Sequence, residues 1–333
     1  MPANLTLQYL KAEAAYRQAT APDEELQCLQ TMLRELPKHK GTDKLQAELK
    51  QKISRAKKQA EQSAQQGKGK GGGGGLRIPR QGAGRVVLIG GPNTGKSQLV
   101  ASVTRATPEV APYPYTTREP GPAMMPHEDI AIQLVDTPPI TADFFEPVVQ
   151  ALIRGADLTL LFIDLASDEG IDDTQAVLDK LATTKTRLAT ASYLDENDIG
   201  LTFTKTFAVA NKIDADGAAD RLQLLHEFLP LDFREFVISS TTLTGVDNLK
   251  AAIFESLDVV RIYTKLPSQK EPDYDKPFTI RRGGTLLDIA ELIHKDMARN
   301  LKTARVWGSE VHDGTTVKTD YILHDKDVVE LHV

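Results

Sequence analysis

The sequence predicts an α/β protein: a mostly parallel sheet flanked by helices, preceded by an N-terminal helical hairpin and followed by a smaller C-terminal unit. Three observations carry this. From residue 85, short apolar runs alternate with helix-period stretches, and "RVVLIG", "IAIQLVD", "LTLLFID", "TFAVANK" and "EFVISS" each end where a polar loop starts. Strands buried on both faces and joined by helices read this way, and ligands then gather at their carboxyl ends. The motif "GGPNTGKS" follows the first run, and composition and pattern change before residue 67 and after residue 276.

In chain order, residues 1–66 are rich in Ala, Gln, Glu, Lys and Leu. "LQCLQTMLRELP" and "LQAELKQKISRAKKQ" space apolar residues three and four apart, with Pro37 and Gly41 between them; this is the pattern of a helical hairpin. Residues 67–84, "GKGKGGGGGLRIPRQGAG", read as a glycine-rich flexible linker. The sheet-and-helix region spans 85–262. From 277 a small unit follows: "FTIRRGG", a helix over "TLLDIAELIHKDMAR", then "ARVWG" and "DVVELHV". On that helix Lys295, Arg299 and Lys302 share one face if it runs far enough. The insert "TRLATASYLDENDIG" fits none of the motifs.

With 333 residues, 41% hydrophobic and 26% charged, the chain reads as soluble and globular. It has no apolar run long enough for a bilayer, and its polar N-terminus lacks a signal-peptide core, so a cytoplasmic location without a membrane partner is expected. The single Cys28 excludes an internal disulfide and an all-cysteine metal cage. The net charge of −6 is uneven: residues 1–84 hold 15 Lys+Arg against 8 Asp+Glu, a balance of +7, leaving −13 for the rest. Within 50–80, nine cations face the single anion Glu61. That density attracts a phosphate backbone, or belongs to a solvated helix face running into a tether.

The strongest motif runs from Gly90 to Ser97 and fits G-x-x-x-x-G-K-[ST]. Its glycines let backbone N–H groups cradle phosphates, Lys96 reaches the β/γ oxygens and Ser97 ligates Mg²⁺. Gly91, Pro92, Asn93, Thr94, Gly95, Lys96, Ser97 and Gln98 are therefore the candidate phosphate-loop residues. "NKID" then selects the base: the Asp214 carboxylate accepts from guanine N1–H and its amine, whereas adenine would strand a buried charge. Asn211 reaches the other edge of the base, and the Lys212 stem packs on its face. In "ISSTT", Ser239, Ser240 and Thr241 complete the set, with the Ser240 N–H aimed at the base oxygen.

In order, "GPNTGKS", "YPYTTREPG", "VDTPP", "NKID" and "ISS" resemble a translation-factor-class (TRAFAC) GTPase of the Obg superfamily, and most closely the developmentally regulated GTP-binding (DRG) group. "KLQAELKQKISRAKKQ" is similar to that group's N-terminal helical region, and the last 56 residues resemble a TGS domain, a ubiquitin-like β-grasp module. The resemblance implies a P-loop NTPase G domain with GTP or GDP as ligand, slow Mg²⁺-dependent hydrolysis, and a ribosome or RNA partner rather than DNA. It implies that Thr117 is the switch threonine that reaches Mg²⁺, with Thr116 the alternative, and that Asp136 holds the metal through a water. Asn93 occupies the position at which potassium-using relatives carry asparagine, where K⁺ offsets transition-state charge; the plain alternative is a turn residue. Lys96, Thr117 and Asn93 are thus the candidate catalytic set.

One departure matters. The family loop reads Asp-x-x-Gly, and its glycine N–H binds the γ-phosphate. Here the fourth position is Pro139, which has no N–H, and Pro138 before it is pushed toward extended geometry. Three readings stay open: the Ile140 N–H substitutes, the contact is absent and the switch weakly coupled, or GTP and GDP bind almost alike. Ile140 also cannot orient water as a glutamine would. Hydrolysis then depends on a cation, a backbone group or a protein regulator, and the rival function is a non-hydrolysing guanine-nucleotide sensor. Arg118 and His294 carry less weight as site residues.

Overall fold

The computed structural model describes residues 5–19, 22–37, 42–66, 78–104, 120–195, 198, 200–269 and 271–332. Helix α1 (Leu7–Gln18) is capped by Thr6, whose hydroxyl accepts from the Tyr9 N–H; α2 (Pro22–Glu35) and α3 (Asp43–Gln66) follow. Where the sequence suggested a hairpin, three helices pack on one another around Tyr9, Tyr16, Leu29, Met32 and Leu49. The additional α1 buries Tyr9, Ala12 and Tyr16, spaced three and four apart on one face. It is held by those neighbours and by capping.

The large sheet has the order β2-β3-β1-β4-β7-β5, with β6 and β8 also pairing β7. Its strands are β1 (Arg85–Gly90), β2 (Gly121–His127), β3 (Ile130–Asp136), β4 (Leu158–Asp164), β5 (Thr186–Ala189), β6 (Tyr193–Leu194), β7 (Thr202–Asn211) and β8 (Arg234–Val237). The β1, β3, β4 and β7 ladder is parallel, whereas β2 runs antiparallel to β3. Helices α4 (Lys96–Val103), α5 (Pro147–Arg154), α6 (Gly170–Ala182), α7 (Ala218–Phe228) and α8 (Val246–Leu257) connect and cover it. Two apolar layers, one around Leu88, Leu134, Leu160 and Phe162 and the other around Ile89, Val135, Leu161 and Val177, bury the sheet on both faces.

The unexplained insert has a structural role. It supplies β5 and β6, which extend the sheet along the first half of β7, and Tyr193 stacks on Phe203 at 4.4 Å. Leu194 enters the core of the N-terminal helices while its N–H donates to Glu13 Oε1 at 2.8 Å. The insert is the platform on which the helical arm sits.

The second sheet, ordered β10-β9-β13-β11-β12, comprises β9 (Val259–Thr264), β10 (Asp273–Arg281), β11 (Thr303–Gly308), β12 (Val311–Val317) and β13 (Asp327–His332). β9 pairs with β10 and β13, so 259–264 belongs to the C-terminal unit rather than to the region ending at 262. The expected single helix is two, α9 (Leu286–Ile293) and α10 (Lys295–Asn300). His294 breaks it with φ −164° and ψ 132°, its Nδ1 accepting from the Asp296 N–H. Because α10 ends at Asn300, Lys302 lies beyond it and the three-cation helical face does not form.

Residues 78–84, the end of the expected linker, are ordered. Ile78 is buried, Gly82 bridges to Ile132, and Arg80 pairs with Asp157. Asp157 also accepts from the Arg85 N–H at 2.8 Å and from Arg281 of the second sheet at 3.1 Å. No described helix is long and apolar enough to cross a membrane.

Candidate nucleotide-binding site

At the carboxyl end of β1 the chain turns through Gly90 to Gly95 into α4. Asn93 takes φ 56° and Gly95 φ 90°. Asparagine tolerates that left-handed backbone. At Gly95 only glycine fits, because a Cβ would lie 2.2 Å from Asn211 Nδ2. The Lys96 ammonium is buried in the turn, donating to Gly91 O at 2.7 Å, Gly90 O at 3.2 Å and Thr94 Oγ1 at 3.2 Å. Burial pulls its pKa down to about 8, while the Asp136 charge works in the opposite direction. Asn93 is exposed at the loop's tip, and Pro92 and Gln98 are half-buried. Gly91 faces the Asp173 side chain; burial first, then Glu169, Asp164 and Asp172, push that carboxyl above its ordinary range.

Ser97 Oγ donates to Asp136 Oδ2 at 2.5 Å, bringing α4 against the end of β3. Two hard oxygen donors at this spacing fit Mg²⁺, which takes oxygen ligands and completes its shell with water and phosphate. Thr117, Thr116 and Arg118 lie outside the described residues. After Asp136, the loop runs buried through Thr137, Pro138, Pro139 and Ile140. The Thr137 hydroxyl donates to Leu88 O at 2.6 Å, and the Ile140 N–H to Gly90 O at 3.1 Å. The Ile140 side chain, 1% exposed, belongs to the apolar layer with Ile89, Val135 and Val149.

Fully buried Asn211 braces the site. Its Nδ2 donates to Thr94 O at 2.8 Å, and its Oδ1 accepts from the Ser240 N–H at 2.9 Å and the Ser240 hydroxyl at 3.0 Å. Two of the groups expected to face the base, Asn211 and the Ser240 N–H, are thus engaged with each other. Ser239 Oγ accepts from the N–H groups of Thr241 and Thr242 and shapes the same loop. Lys212, at φ 68°, turns its ammonium onto Asp164 Oδ2 at 2.6 Å. Asp214 is exposed, free of the core that holds its neighbours. Thr137, Asp164 and Asp173 were missed by motif reading. For Asp164 there was a signal, since it ends the run "LTLLFID" and pairs in register with Asn211.

With the phosphate loop tied through Asn211 to the loops that follow β7 and β8, the architecture is that of a P-loop GTP-binding protein. Residues 85–193 match the family described as 50S ribosome-binding GTPase, and residues 260–333 match the TGS domain. An uncharacterized GTP-binding protein of Methanocaldococcus jannaschii is 29% identical, covering 93% of this chain and 92% of its own. The developmentally-regulated GTP-binding protein 2 homolog of Dictyostelium discoideum is 26% identical, over 92% of this chain and 98% of its own. The Saccharomyces cerevisiae protein Ribosome-interacting GTPase 1 is 25% identical with the same two shares, 92% and 98%. The solved Schizosaccharomyces pombe YchF GTPase shares the fold at TM-score 0.50 and 13% identity, over 76% of this chain and 99% of that one. The chain thus carries a GTPase domain and a TGS domain, and along most of its length it is similar to proteins named as developmentally regulated GTP-binding proteins.

Proposed function

We propose that the chain is a slow, Mg²⁺-dependent GTPase whose second switch loop is only weakly coupled to the γ-phosphate, working in the cytosol in association with the ribosome or another RNA. One observation carries this reading: the Ile140 N–H, the nearest donor to the one Pro139 lacks, is bonded to Gly90 O while its side chain sits in the core. The seat of Lys96 in the loop and the contact of Ser97 with Asp136 support the phosphate and metal roles given to these residues. Mg²⁺, when bound, supplies electrostatic stabilisation of charge on the phosphate oxygens. Lys96 holds those oxygens, Ser97 and Asp136 hold the metal, and Thr117 joins them when the γ-phosphate is present. With Ile140 apolar, no side chain of this loop orients the attacking water. The exposed Asn93 is then the residue for a potassium ion, and a protein regulator is a second route to faster turnover.

The ribosome or RNA assignment is supported by the nine cations between 50 and 80 and by the name of the Saccharomyces relative. The organisation that goes with it is a helical arm, a G domain that reads guanine through Asp214, and a TGS domain. A second reading, a guanine-nucleotide sensor that does not hydrolyse, is favoured by the same Ile140 bond.

Equilibrium titration with fluorescent GTP, GDP and ATP analogues tests the binding half. Weak coupling predicts GTP and GDP affinities within about tenfold of each other, the worth of one ordinary hydrogen bond. A GTP preference above about a hundredfold contradicts it, because that requires a full charge-assisted contact. ATP binding tighter than GTP removes the role given to Asp214.

A further inference from the structure

We propose that Thr137 is the positioning residue of the metal site: its buried hydroxyl fixes where the Asp136 carboxylate stands, a task the proline-substituted loop cannot give to its own backbone. The inference rests on reading Ser97 and Asp136 as Mg²⁺ ligands. β3 follows β1 in register only as far as Leu88↔Asp136. Beyond that pair the chain enters Pro138 and Pro139, neither of which has an N–H with which to continue a ladder. Among the described residues, two bonds hold the loop instead. The Ile140 N–H reaches Gly90 O at 3.1 Å, and three residues earlier the Thr137 hydroxyl reaches Leu88 O at 2.6 Å.

The Thr137 bond is the one next to the metal residue. Asp136 is the last residue of β3, so its backbone is held on the N-terminal side by the sheet and on the C-terminal side by Thr137. Its Oδ2 accepts from Ser97 Oγ at 2.5 Å, a fit that tolerates little rotation of the strand end. Thr137 has no exposed surface, so water cannot take the place of Leu88 O as its acceptor. Valine has the same shape without the donor, and serine keeps the donor without the methyl group. The pair separates hydrogen bonding from packing.

The test uses the full chain, with fluorescent GDP and GTP analogues titrated in Mg²⁺ and again in EDTA, for the unmodified protein, Thr137→Val and Thr137→Ser. The reading predicts that Thr137→Val loses about tenfold of the Mg²⁺-dependent gain in affinity, keeps its EDTA affinity within about twofold, and that Thr137→Ser restores the gain. Equal loss in EDTA and Mg²⁺ means general damage to the loop and overturns the inference, as does an unchanged Mg²⁺ gain in Thr137→Val. If valine prevents folding, Thr137→Ala makes the same deletion with less bulk, and melting of the nucleotide-free protein verifies that it folds. An unmodified protein with no Mg²⁺ gain overturns the metal reading itself, a failure visible before any substitution is compared.

Discussion

The backbone amide of Ile140 donates to the carbonyl oxygen of Gly90 at 3.1 Å, and the same carbonyl accepts from Lys96 Nζ at 3.2 Å. Lys96, the proposed phosphate ligand, and the loop after β3 thus share one acceptor at the end of β1. Freeing Ile140 for a γ-phosphate breaks a hydrogen bond worth about 1 kcal/mol and draws an isoleucine from the core at about 1.5–3 kcal/mol. A new bond to a charged phosphate returns about 1.5–3 kcal/mol. The cost exceeds the return by about 1 kcal/mol, so the proposed weak coupling is the expected outcome.

Pro139→Gly tests this directly. Glycine supplies an N–H at the fourth position without moving Ile140 out of the core. The preference for GTP over GDP should rise by about tenfold, while stability falls by about 1 kcal/mol because the unfolded chain gains freedom. Nucleotide titration and urea unfolding read the two effects. An unchanged ratio would mean that the loop lies too far from the phosphate for any residue at 139 to matter.

Nucleotide affinity should depend on pH through Lys96. Its ammonium, lowered from 10.5 to about 8 by burial, is charged below pH 8 in the nucleotide-free protein and neutral above it. Phosphate favours the charged form, so affinity should be flat below pH 8 and fall by up to about tenfold per unit above it. Stability of the nucleotide-free fold has the opposite sign. Between 8 and 10.5 the unfolded chain keeps the proton that the folded one has released, so stability rises with pH. Titrations from pH 7 to 9.5 on the nucleotide-free protein check both.

The fold and the loops of the candidate site were legible in the sequence because motifs for phosphate and base recognition have short, fixed spacings. "GGPNTGKS" and "NKID" specify loops on their own. What escaped depends on pairing at a distance. β2, "GPAMMPH", carries a glycine and two prolines and is a strand only because β3 lies beside it. β9, "VVRIYT", is not among the strand candidates and is cut by the domain bound at 262, and only its ladders to β10 and β13 place it in the C-terminal unit. Likewise no local pattern announces that Asn211 spans Thr94 and Ser240, or that Thr137 bonds Leu88.

Asn211→Ala should loosen the phosphate loop and the loop after β8 together. It leaves Thr94 O and the Ser240 N–H without their buried partner, at a cost of about 3 kcal/mol. Urea unfolding should register the loss, and affinity for GTP and GDP should fall in parallel. A loss confined to base discrimination would return Asn211 to direct base contact.

Arg261, 5% exposed, fastens the TGS domain to the turn between β2 and β3. It pairs with Asp129 at 3.0 Å, with Asp325 at 2.7 Å and with Glu128, while the Tyr263 hydroxyl donates to Asp129. Arg261→Met should cost about 2 kcal/mol, discounted for the partly exposed carboxylates, and hasten proteolysis between the two domains. Burial raises the Asp325 carboxyl, but its bonds to Arg261 outweigh that and hold it below its ordinary value. Its stabilisation is therefore present above the ordinary carboxylate range and is lost as pH falls through the lowered value. The methionine variant should lack this acid-sensitive component.

The most direct measurement is single-turnover GTP hydrolysis by the full chain with Mg²⁺, first in potassium and then in sodium buffer. Slow cleavage that is faster in potassium is the expected result, with the Pro139 loop still permitting catalysis and Asn93 gaining its ion. No cleavage in either buffer, with GTP demonstrably bound, contradicts the GTPase reading and leaves the nucleotide sensor in its place.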